Sequence, residues 1–240
     1  RQSGRLLREE LARLAATRGG AVLSPELLTP EAFVEVVAGA SLPPRMTLAG
    51  EIDLLAAWAA VLTRLRFAEF GAVFPVEPPV PDFAWAVTVG RQLQQARATL
   101  AESGKSFGLV GASDDVPETE RWRQLARMEA LYLAELRSAG LWDPEAAKIA
   151  ALEQAAWPWS ARRVVLAAVP DPLPIACDLL ARAGVEVEAL VWAPTGRESW
   201  FDGFGRPLPG PWSGAEIPLG PPAVRLQSTA DPAAQAAAVA

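Results

Sequence analysis

Residues 162–192 read RRVVLAAVPDPLPIACDLLARAGVEVEALVW, and this stretch decides the fold class. Val164 to Val169 is a short apolar run, the pattern of a strand buried on both faces. Leu173 to Ala183 has helical spacing, Gly184 stops it, and Val185 to Trp192 reads as a second strand. Strand, helix and strand in that order predict a βαβ unit of a parallel sheet. Beyond it, residues 203–222 are rich in Gly and Pro and read as loop. Val224 to Leu226 is a further candidate strand, and Asp231-Pro232 caps a last helix.

Upstream the pattern is helical. Thr47 to Phe67 carries Leu48, Ile52, Leu55, Ala59 and Leu62 at three- and four-residue steps. Phe70 to Pro81 is proline-rich and breaks the pattern, after which Asp82 caps a helix reaching Glu102. Glu118 to Ala139 is a third helix, and Asp143-Pro144-Glu145 opens a fourth that ends before Pro158. No strand is predicted in this block, which has the size of a small domain. At the start, Ser3 to Arg18 is an amphipathic helix with Leu6, Leu7, Leu11 and Leu14 on one side. Gly19-Gly20 ends it, and Ala21 to Leu23 reads as a strand. Thr29-Pro30-Glu31 then starts a helix to Gly39, with a cap, a proline at the first helical position and an acid in the first turn.

The composition narrows the chemistry. The chain has 240 residues, 51% of them hydrophobic, enough for a sizeable core. No apolar run approaches the length of a membrane span, and no signal pattern opens the sequence. A single cysteine, Cys177, allows no internal disulfide and suits a reducing cytoplasm. Histidine is absent, which removes the commonest general base and metal ligand together. The formal net charge is −6, whereas an autonomous nucleic-acid binder carries a basic excess. The opening at Arg1 and the alanine-rich end read as those of a piece of a larger protein.

Three features invite stronger readings. Gly104-Lys105-Ser106 matches the end of a phosphate-binding loop, but the motif needs a glycine where Thr99 stands and a strand where a helix precedes. It reads as an inter-helix loop. Asp171 sits beyond the first strand of the βαβ unit, where parallel-sheet enzymes place functional acids. It stands alone between Pro170 and Pro172, as a turn aspartate does. Of the nine tryptophans, Trp58 and Trp122 fall on apolar helical faces. Trp157 and Trp159 are expected to seal the helical block against the sheet strand, and Trp192, Trp200 and Trp212 lie near loops. The three loop tryptophans are the better candidates for a stacking surface, with packing as the default.

The ordered set of segments resembles a family. Arg1-Gln2-Ser3-Gly4-Arg5-Leu6-Leu7-Arg8-Glu9-Glu10-Leu11 is similar to the strand exit and helix after the nucleotide-binding strand of superfamily 1 helicases. More narrowly, it resembles the B subunit of AddAB-type helicase–nucleases. Val164 to Pro172 is similar to that subunit's degenerate acid box. Val191-Trp192-Ala193-Pro194 with Phe201-Asp202-Gly203-Phe204-Gly205-Arg206-Pro207 fits its "AP…FD–WG-P" pattern, with Phe204 where tryptophan is common. Ala230 to Ala236 looks like the entry to the second helicase-like domain.

The resemblance implies an α/β fold with a RecA-like parallel sheet and a large all-helical insertion. Residues 1–40 and 161–222 would form the helicase-like domain, 41–160 the insertion, and 223–240 the start of a truncated second domain. It implies a cytoplasmic, non-catalytic helicase-like module serving recombinational repair of DNA double-strand breaks. Its partners would be a helicase–nuclease subunit and single-stranded or forked DNA, with Arg1, Ser3 and Arg5 as DNA contacts by carry-over. No catalytic residue, cofactor or metal site is expected. The acid pair of an active ATPase is missing, and Ala193-Pro194-Thr195-Gly196 stands where a glutamine-bearing motif is expected. The competing reading is a small-ligand or nucleotide-sugar-binding α/β enzyme fragment working near Asp171 and Trp192.

Overall fold

The computed structural model describes residues 2–21, 25–78, 80–154, 157–160 and 162–215, with side chains from Arg5 onward. The chain is mixed α/β, 55% helical, with two small parallel sheets. It forms two compact units: Arg1–Val191 with Gly203–Gly205, and Trp192–Asp202 with the chain from Arg206.

The helix signals in the sequence act where they stand. Helix α1 spans Gln2–Thr17, and α2 spans Pro30–Ala40 with the Thr29 side chain accepting the Ala32 N–H. Such a cap satisfies one of the amides that the first turn leaves without a partner. Helix α3 covers only Glu51–Leu62, shorter than the predicted Thr47–Phe67. Gly50 breaks the run, its N–H held by the Asp53 carboxylate at 2.9 Å. Ahead of it Thr47–Leu48 forms strand β1. Helix α4 (Phe83–Ala101) starts at Asp82, whose carboxylate accepts the Trp85 N–H. Then follow α5 (Phe107–Gly111), α6 (Thr119–Ser138), strand β2 (Leu141–Trp142) and α7 (Pro144–Gln154).

The middle of the chain was expected to hold no strand, yet β1 pairs in parallel with β2, Thr47 opposite Leu141 and Leu48 opposite Trp142. Two residues are too few to show a period of two, so the pattern could not reveal them. Trp58, Leu62, Phe70, Ala86, Met128, Tyr132 and Leu136 form the core of this block. The Trp58 and Tyr132 rings stack at 4.2 Å. Fully burying one such large apolar side chain is worth about 1.5–3 kcal/mol. Gly90 lets α4 press against α3, since a Cβ there would lie 2.7 Å from that of Trp58.

The predicted βαβ unit forms. Strand β3 (Arg163–Ala167) and strand β4 (Glu186–Leu190) pair in parallel from Arg163 opposite Glu186 to Ala167 opposite Leu190. Helix α8 (Pro174–Ala183) joins them and ends at Gly184, whose φ of +62° suits a residue without a Cβ. The strands differ from expectation in burial: side chains alternate, half-buried on one face and exposed on the other. No further strand joins this sheet among the described residues. Val22, Leu23, the 224–226 strand and the helix from Asp231 lie outside them, and Ala21 is not in a strand. A second core joins Val34 and Val37 of α2, Ala151 and Leu152 of α7, and Ile175, Ala176 and Leu179 of α8. Gly205, at φ +79°, lies against Val191 and Ala189 at distances a Cβ could not keep.

In the second unit Phe201 and Pro207 make an antiparallel bridge. The Asp202 carboxylate accepts both the Arg206 amide, at 2.9 Å, and its guanidinium, at 2.7 Å. A short helix, α9, spans Pro209–Ser213.

Candidate functional site

In α/β proteins the carboxyl end of a parallel strand and the following helix N-terminus are where anionic ligands are held. Here β3 leads into Ala168, at φ +55°, and then into Pro170-Asp171-Pro172. Asp171 is exposed and has no acidic neighbour in sequence. Helix α8 offers few amides to a phosphate. Leu173 at its cap gives no side-chain acceptor, and Pro174 has no N–H. The next amide, of buried Ile175, donates to the Glu102 carbonyl at the end of α4, 2.9 Å away. The amides of Ala176 and Cys177 turn back to the Leu173 carbonyl. The anion-binding end of α8 is therefore closed from within the chain.

Gly104-Lys105-Ser106 is the turn from α4 to α5. The amides of Gly104 and Lys105 bond to the carbonyls of Ala101 and Leu100, and Ser106 Oγ accepts the Leu109 N–H as the α5 cap. Neither amide is left to cradle phosphate. No group of three or more His, Cys, Asp or Glu side chains able to hold a metal occurs among the described residues.

Of the three proposed DNA contacts, Arg1 lies outside the described residues. Ser3 lies in the first turn of α1, its side chain outside those described. Arg5 is exposed, and its Nε donates to Glu9 at 2.7 Å. Arg13 pairs likewise with Glu10. Exposed pairs of this kind are worth about 0–1 kcal/mol, so a phosphate could take Arg5 from Glu9 at little cost. The helical block carries exposed ion pairs of the same sort. Arg64 pairs with Glu135, Arg121 with Glu118, Arg123 with Asp114, and Arg127 with Glu69.

The strongest electrostatic cluster is buried. Arg97, 2% exposed, holds Asp143 with two bonds, at 2.8 and 2.9 Å, and Glu129 with a third at 2.7 Å. Tyr132 donates to Asp143 at 2.7 Å, and Asp143 also accepts the Ala146 N–H at the start of α7. Glu129 accepts the Gly108 N–H of α5. Burial alone would raise the Asp143 carboxyl, but the Arg97 guanidinium outweighs it and holds the group below its ordinary value. Burial, then the Asp143 charge, push the Tyr132 phenol well up, so it remains a donor. With both carboxylates bonded on each oxygen, the cluster ties α4, α5, α6 and α7 together and leaves no oxygen for a ligand. The sequence held a signal for it: Ala86, Gly90, Arg97 and Ala101 share the buried stripe of α4, and one charge interrupts it.

The tryptophans separate. Trp58 is core, and Trp122 is half-buried beside Phe107. Trp157 and Trp159 pack on Phe33 of α2. Trp200 lies under the Arg197 guanidinium at 3.7 Å, with Trp212 edge-on at 4.8 Å. Trp192 is fully exposed. A groove beside α4, lined by Thr88, Arg91, Gln92, Gln95, Ala96 and Thr99, is shallow and open. No helix among the described residues is long and apolar enough to cross a membrane. Comparison with protein-family models, curated proteins and solved structures finds no match to the chain.

Proposed function

We propose that the chain is a non-catalytic helicase-like module of a helicase–nuclease that processes DNA double-strand breaks. It serves as a scaffold for the partner subunit and as a surface that scans DNA. The observation that carries the non-catalytic part is the closed end of α8: a parallel β3–α8–β4 unit whose phosphate-facing amide is already bonded to Glu102. The lone Asp171 between prolines agrees with it, since ATP hydrolysis needs acids to hold Mg²⁺ and position water. The DNA-processing part rests on the resemblance of Arg1–Leu11, Val164–Pro172 and Val191–Pro207 to the helicase–nuclease subunit. On this reading β3 and β4 belong to a RecA-like sheet, residues 41–160 are its helical insertion, and the protein works in the cytoplasm. The small-ligand reading near Asp171 and Trp192 gains no support from the groove beside α4, which is open and lined from one face of a single helix.

The test is fluorescence anisotropy of labelled single-stranded and forked DNA over a salt series, with ATP binding measured in parallel. DNA binding that weakens with salt, without ATP binding, is the expected result. Arg5→Glu should then weaken binding and flatten the salt slope. Tight ATP binding would overturn the proposal. Absence of DNA binding would remove the scanning role and leave the scaffold role, to be measured against the helicase subunit.

A further inference from the structure

Helix α4 has two unlike faces. Inward lie Ala86, Gly90, Arg97 and Ala101, and the bonds of Arg97 to Asp143 and Glu129 fix which way the helix is rotated. Outward lie Thr88, Arg91, Gln92, Gln95 and Thr99, all exposed and separated by steps that keep them on one stripe. No Asp or Glu occurs among the 19 residues of α4, in a chain whose net charge is −6. Among the described residues Arg91 has no carboxylate partner, unlike Arg64, Arg121, Arg123 and Arg127. The hydroxyls of Thr88 and Thr99 bond back to the carbonyls of Ala84 and Gln95, which leaves their methyl groups for outside contact. An open groove of about 600 Å³ runs along this stripe.

From this stripe we infer that α4 lies in the major groove of duplex DNA and reads base edges there. The side chains are the ones that groove selects. An arginine donates to O6 and N7 of guanine, a glutamine pairs with N6 and N7 of adenine, and a threonine methyl packs on the thymine methyl. A carboxylate on the stripe would repel the phosphates on either side, and α4 has none. Size also fits: a helix with its side chains is about 10–12 Å across, and the groove is about 12 Å wide. From Thr88 to Thr99 the stripe runs about 16 Å, the rise of roughly five base pairs. The Arg97 network holds the stripe rigid from behind, so little order is lost on contact. With a net charge of −6 the chain has no general attraction for the DNA backbone, so base edges must supply the affinity. The salt dependence through α4 is therefore shallow. The inference rests on the DNA-processing reading for the presence of DNA, and adds to it the duplex form and a contact surface on α4.

The test is fluorescence anisotropy of the 240-residue chain with a labelled mixed-sequence duplex of about 20 base pairs, and with one of its strands alone. The duplex is expected to bind in the micromolar range. Arg91→Ala, and separately Gln92→Ala with Gln95→Ala, should each weaken duplex binding at least about tenfold, with circular dichroism and single-strand binding unchanged. The same duplex methylated at guanine N7 by dimethyl sulfate should bind the wild type as weakly as the unmethylated duplex binds Arg91→Ala. That comparison needs no protein variant to fold. Arg5→Glu should leave duplex binding as it was. A chain that binds the single strand but not the duplex overturns the α4 inference alone. So does duplex binding that ignores both α4 variants, or that ignores N7 methylation. Duplex binding that depends on α4, without any single-strand binding, would instead remove the scanning role proposed for α1 and leave this inference standing. No binding to either DNA overturns both.

Discussion

At the residue scale the fold depends most on Arg97. It brings one positive charge to two buried carboxylates, and α5 and α7 supply amides for the rest. Arg97→Met should destabilise the chain by about 3–5 kcal/mol in urea unfolding, because it leaves Asp143 and Glu129 buried without their cation. Arg97→Lys should recover only part of this, since an ammonium cannot hold Asp143 with two parallel bonds. The same cluster sets an acid limit. The folded Asp143 carboxyl lies below its unfolded value of 3.8. Its stabilisation is therefore complete above that pH and fades as the pH falls through the lower folded value. A plot of urea midpoint against pH should decline in that window, and Asp143→Asn should flatten the decline. Asp143 was legible as the cap that opens α7. Its role as the hub of a buried network was not, because that depends on α4 bringing Arg97 to it from 46 residues away.

At the element scale the caps were the readable part. Thr29, Asp82 and Asp143 all act where the sequence placed them, since a cap is local chemistry between residues three apart. Thr29→Ala should lower stability by about 1 kcal/mol, as read from the urea midpoint. What the sequence hid was set by neighbours distant in the chain. Strands β1 and β2 exist only because residues 47–48 and 141–142 meet. The helix crossing at Gly90 is similar. Alanine there should favour α4 by about 1 kcal/mol on propensity alone. Yet its Cβ would sit 2.7 Å from that of Trp58, so the expected result of Gly90→Ala is a net loss of about 1–3 kcal/mol in thermal unfolding. The burial of β3 was misjudged for a related reason: a run of apolar residues declares which side chains could be covered, not what covers them.

At the scale of the whole molecule, stability is uneven. Trp58, Leu62, Met128 and Tyr132 lie at the centre of a dense core, whereas α1 exposes Leu6, Leu7 and Leu14 and the β3–β4 sheet exposes Val165 and Leu190. Hydrogen exchange should show the α3, α4 and α6 amides as the slowest, with those of the exposed α1 far faster. Slow exchange throughout α1 would contradict the packing described. The bond from Ile175 to Glu102 has one further consequence. It joins main chain to main chain, so no side-chain substitution deletes its acceptor. The end of α4 and the start of α8 are thereby tied to each other whatever side chains stand there. Cutting out residues 41–160 to isolate the sheet would strip α8 of this bond and remove Ala151 and Leu152 from beside α2. The shortened protein would be a weaker module, not a cleaner one.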